Sequence, residues 1–140
     1  MEITAPRATL TAEAVMGLMQ GALDHAASLG KQVYVAVMDS SARLVGLIGS
    51  EAAPQICSAV AQQKAYTAVA MRMPSADFKA MLEAVPDERD IFLGQGYIAA
   101  AGGVPVVVEG LVAGAVGVSG AGQAEDAACA HAAVASVLPG

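Results

Sequence analysis

Apolar residues recur at Val15, Leu18, Met19, Ala22, Ala26 and Leu29, the three- and four-residue spacing of one helix face. Thr11 supplies an N-cap oxygen, Glu13 a favourable first-turn charge, and Gly30 ends the run. The period then changes. Over Gln32–Met38, Val33, Val35 and Val37 alternate with Tyr34, Ala36 and Met38, which predicts a strand. Both faces of that strand are apolar, so both sides of its sheet should be covered. Asp39–Arg43 reads as a turn and Leu44–Ile48 as the returning strand. Pro54 opens an Ala-rich helix over Gln55–Met71, and Ser75–Leu82 reads as a shorter helix with Ser75 as its N-cap. Val85–Gly96, with Pro86 and several charges, reads as a surface loop holding one helical turn, and Tyr97–Ala101 as a short strand. Val104–Val108 and Leu111–Ser119 form a hairpin across Glu109-Gly110, a two-residue turn that needs glycine. A last helix covers Gln123–Leu138.

Short connections between strands imply an antiparallel sheet, and the apolar faces imply helices on both sides of it. The fold class is therefore α/β in content and α+β in arrangement: a three-layer α/β/α sandwich with a five-stranded antiparallel sheet. Residues 1–8 show no pattern and read as a flexible N-terminal arm, leaving 9–140 as a single domain.

Composition sharpens this picture. The chain has 140 residues, 56% hydrophobic and 14% charged, which excludes disorder over most of its length. Its most apolar stretch, Gly103–Val118, is cut by Pro105, Glu109 and several glycines, so no membrane span is expected. Much apolar and little charged surface suggests that a partner chain covers some of it. The net charge is −6 and the seven Lys and Arg are scattered, so the basic footprint of a nucleic-acid-binding protein is missing. No basic segment followed by an apolar one opens the chain, and Cys57 and Cys129 lie far apart without a CxxC spacing; both features fit a cytoplasmic protein.

The segment from Gly102-Gly103-Val104-Pro105 through Gly114 to Gly117-Val118-Ser119-Gly120, followed by Glu125-Asp126, is distinctive. It resembles the GlcG/HbpS family, which includes the C-terminal domain of PduO. Ala36-Val37-Met38-Asp39 and Lys64-Ala65-Tyr66-Thr67-Ala68 resemble two further family segments. The chain departs from the family pattern in its first hairpin. Arg43 stands where the family often has a His, and Gly49-Ser50-Glu51 replaces Arg-Met-Asp. The resemblance implies a profilin-like fold, homo-oligomers, and a small-molecule ligand, haem in some members. It leaves open a catabolic enzyme acting on a hydroxy- or oxo-acid, and an accessory oligomeric subunit.

The candidate ligand-binding residues are Lys64, Gly102, Gly103, Pro105, Ser119, Gly120 and His25. Lys64 could meet a ligand carboxylate such as a haem propionate, or pair with Asp39 or Asp126. The two glycines could admit a ligand against bare backbone, or serve a strand bend. Ser119-Gly120 leads into a helix whose free N–H groups could hold an anion, although Glu125 and Asp126 already serve that helix start. His25 borders the apolar stripe of the first helix, where an imidazole could ligate haem iron or sit half-exposed at an interface; no other metal site is expected. In an enzyme, Asp39, Lys64 and Asp126 would carry the acid/base chemistry. Asp39 is equally a routine turn residue.

Overall fold

The computed structural model describes residues 1–139. Helix α1 spans Ala12–Ser28, and the Thr11 hydroxyl accepts the Ala14 N–H at 3.1 Å, capping it as its sequence predicts. Strands β1 (Tyr34–Asp39) and β2 (Leu44–Gly49) form the first hairpin. Helices α2 (Ile56–Met71), α3 (Ser75–Ala84) and α4 (Arg89–Leu93) follow. Strands β3 (Gly103–Val108) and β4 (Leu111–Ser119) form the second hairpin, and α5 covers Gln123–Val137. Glu109 and Gly110 both take positive φ, 52° and 79°, the conformation that a two-residue turn matched to strand twist demands.

The strand order is β2-β1-β4-β3, antiparallel throughout. The chain thus lays its two hairpins side by side, with β1 and β4 central. The two faces of the sheet are packed differently. On one, Val35, Val37, Val116 and Val118 meet Leu18 and Ala22 of α1 and Cys129 and Ala133 of α5. On the other, Ala36, Met38 and Ala115 meet Ala61, Ala65 and Ala68 of α2. Alanine on alanine brings α2 close to the sheet, and a Cβ at Gly117 would strike the Ala61 carbonyl. The valine face holds α1 and α5 as a pair, with Gly21 of α1 against Ala133 and Ser136.

Two expectations need correction. The sheet has four strands, not five, because Tyr97–Ala101 forms no ladder. Two of its backbone amides are bound by side chains instead: Ile98 N–H by the Thr67 hydroxyl at 2.9 Å and Ala101 N–H by Gln123 Oε1 at 3.1 Å. Tyr97 itself joins an aromatic cluster with Tyr66, Phe78 and Phe92, ring centroids 5.3 to 5.9 Å from its own. Packing and side-chain hydrogen bonds have taken the place of strand pairing. Secondly, Ser75 is the first residue of α3 rather than its cap, and its hydroxyl accepts the Gly103 N–H at 2.8 Å. No helix among the described residues is long and apolar enough to cross a membrane.

Candidate functional site

Lys64 lies on the sheet-facing side of α2, one position before Ala65 and three after Ala61. It is 2% exposed. At the end of β4 its Nζ donates to Asp126 Oδ2 and to the Val118 carbonyl, both at 2.9 Å. The other oxygen of Asp126 accepts the Ala121 N–H at 2.9 Å. An ammonium and a carboxylate, each buried, thereby join α2 on one face of the sheet to α5 on the other. The low dielectric strengthens the pair, and its hydrogen bonds offset the cost of taking both charges out of water.

The neighbouring glycines are explained by the same feature. A Cβ on Gly102, whose φ is +132°, would stand 2.8 Å from Lys64 Cδ and 2.6 Å from the Val118 carbonyl. A Cβ on Gly103 would strike the backbone carbonyl of Lys64, and one on Gly120 (φ +144°) the carbonyl of Gln32. Ser119 is buried beside them. Pro105 pairs with Ala115 on the edge strand β3, where a missing N–H is tolerated. The fold therefore brings Lys64, Gly102, Gly103, Ser119, Gly120 and Asp126 together, around an ion pair packed by protein atoms. A ligand carboxylate would have to displace Asp126 to reach Lys64.

Asp39 ends β1 at the opposite end of the sheet. Its Oδ1 accepts the Ser41 and Arg43 N–H groups at 2.9 and 3.0 Å, and Arg43 Nε donates to Oδ2 at 2.8 Å. Burial pushes the carboxyl pKa up, but the hydrogen bonds from Arg43 and Ser41 and the Arg43 charge outweigh it, and the net displacement is downward. Asp39 is thus held as a carboxylate in a turn, far from the near-neutral value that general acid/base work favours.

His25 is half-buried in the last turns of α1, four residues beyond Gly21 on the side facing α5. His131 is exposed on α5. Cys129 is buried, and desolvation, followed by the nearby Asp126 and Glu125 charges, pushes its thiol up to about 11, which disfavours the reactive thiolate. Among the described residues no three His, Cys, Asp or Glu side chains group to hold a metal ion.

Haem needs an axial donor, an apolar slot and counter-charges for its propionates. Of the clefts on the surface, four of about 250, 320, 300 and 410 Å³ are lined by none of His25, Lys64, Gly102 and Ser119. His25 lines none of these four, and Lys64 is already paired with Asp126. None of these four clefts therefore combines an axial donor, an apolar slot and counter-charges.

The fold and its fastened strand ends define a small α+β domain with a four-stranded antiparallel sheet between two helical layers. The chain belongs to the family described as haem degrading protein HbpS-like, whose model matches residues 10–135. No curated protein matches the chain. Among solved structures, a double mutant of HbpS from Streptomyces reticuli is 28% identical at a TM-score of 0.90, covering 97% of this chain and 92% of that one. The Klebsiella pneumoniae protein ORFY is 22% identical at 0.90, covering 99% of both chains. A PduOC:heme complex is 24% identical at 0.86, covering 94% of this chain and 97% of the other; at that identity it speaks for the fold alone.

Proposed function

We propose that this protein is a small-molecule-binding member of the family, and that its ligand is haem or another planar, carboxylate-bearing molecule. Membership over residues 10–135, in a family described by haem degradation, carries this reading. His25 is the axial donor in this proposal, with Lys64 removed from direct contact by its pairing with Asp126. A second copy of the chain completes the slot. Pairing with a second copy, though not its place at His25, is supported by Leu44, Val45, Leu47 and Ile48 on edge strand β2, each 39–44% exposed, since such an apolar edge calls for a cover. Acid/base catalysis by Asp39, Lys64 or Asp126 fits less well, because each is already engaged by a counter-charge.

The test is a haemin titration followed by absorbance, with His25→Ala alongside and the oligomeric state measured by light scattering. A saturable Soret shift at one haem per one or two chains, lost in His25→Ala, is the expected result. Absence of a saturable shift overturns the haem reading for this chain.

A further inference from the structure

At the end of the sheet opposite Lys64, a cleft of about 250 Å³ opens between the segment before α1, the end of α2 and the β3–β4 turn. Its walls include Pro6, Leu111 and Val112, and two guanidinium groups, Arg7 and Arg72, line it together. The chain is acidic, with only seven Lys and Arg, so two arginines converging on one cleft stand out. Two of the other basic residues, Lys64 and Arg43, are consumed by ion pairs. The Arg7 side chain donates only to the Ser40 carbonyl, at 2.9 Å, and the Arg72 side chain has no hydrogen-bond or ion-pair partner among the described residues, its backbone N–H alone bonding the Ala68 carbonyl. Against these charges stand the partial negative end of α2 and Glu109 in the adjoining turn, which does not line the cleft. Arg72 also caps α2 in the left-handed region, φ +55°, where glycine is the usual occupant and a longer side chain is strained. The position carries a cation where local backbone energetics favour a bare residue.

We propose that this cleft is a binding site for an oxyanion, a carboxylate or phosphate, on a small apolar body. Guanidinium groups match both oxyanions in bidentate geometry. The apolar walls take the body, and the volume, below the usual range for drug-sized ligands, restricts it to a few carbon atoms. This site is separate from the one proposed for His25.

The experiment follows backbone amide NMR shifts during titration with isobutyrate and, separately, inorganic phosphate, at ionic strength held constant with chloride. The variants are Arg72→Gly and Arg7→Met. Saturable shifts at Ser40, Arg72, Gly110 and Val112 are expected, with affinity lowered about tenfold or more by Arg72→Gly and less by Arg7→Met. Arg72→Gly relieves the backbone strain, so it should melt no lower than wild type, which separates lost binding from lost folding. Its haemin titration should be unchanged, which separates this site from the other. Saturation by isobutyrate assigns an organic acid. Saturation by phosphate alone assigns a phosphate ligand to the same guanidinium pair. Shifts that do not saturate, that chloride reproduces, or that survive Arg72→Gly overturn the proposal.

Discussion

Replacing Lys64 by methionine keeps a long side chain but removes the ammonium. Asp126, 2% exposed, would keep only the Ala121 N–H on one oxygen, and the Val118 carbonyl would lose its lysine donor. Breaking a buried pair from one side costs ~3–5 kcal/mol, because the surviving charge stays buried without its counter-charge. That is a large share of the ~5–15 kcal/mol that holds a typical domain together. For a chain of this size it corresponds to a fall of roughly 10–17 °C in Tm. Urea unfolding should show the midpoint moving down with the slope unchanged. Lys64→Met/Asp126→Asn removes the stranded charge while leaving an acceptor for Ala121, and should recover more than half of the loss. A single-variant loss below ~1 kcal/mol, or a double variant no more stable than Lys64→Met, would refute the view that the pair acts as a closed electrostatic unit.

Asp39 and the cysteines give two more tests. The folded pKa of Asp39 lies below its unfolded value, so its stabilisation is present above the unfolded carboxylate pKa of about 4 and is lost as pH falls through the folded value. Asp39→Asn should therefore flatten the acid limb of the stability curve measured by urea unfolding across pH. Its cost at pH 7 should stay below ~1 kcal/mol, since Arg43 is largely exposed. For the cysteines, a thiol reagent at pH 8 should modify partly exposed Cys57 in the native protein and leave Cys129, pushed up to about 11, untouched until unfolding.

The elements that read correctly from the sequence are those whose pattern is local. The α1 periodicity with its Thr11 cap, the alternation in β1 and the Glu109-Gly110 turn each carry their instruction within a few residues. Tyr97–Ala101 misleads because its β-like composition serves a contact with Tyr66 and Phe78, far away in sequence. The Lys64–Asp126 pairing could be named as one option among several, but its burial could not be seen. Two small residues, Gly102 and Gly103, fit a ligand and a lysine chain equally well on paper, and only the fold shows the lysine. Nothing in the spacing of Arg7 and Arg72 links an arm to a helix end, and only the fold brings them to one cleft.

The hairpin order has a consequence for how the chain is made. β1 is central, yet its second neighbour β4 is synthesised long after it: Tyr34 must wait for Ser119. Lys64 likewise waits for a carboxylate 62 residues downstream. Until β4 leaves the ribosome, the first hairpin is an open-sided ribbon and α2 has only half a sheet to lie on. Contacts of such long sequence separation slow folding. The nascent chain thus passes through a stage with one strand edge that the finished protein covers and apolar surface on view, the condition in which misassembly competes.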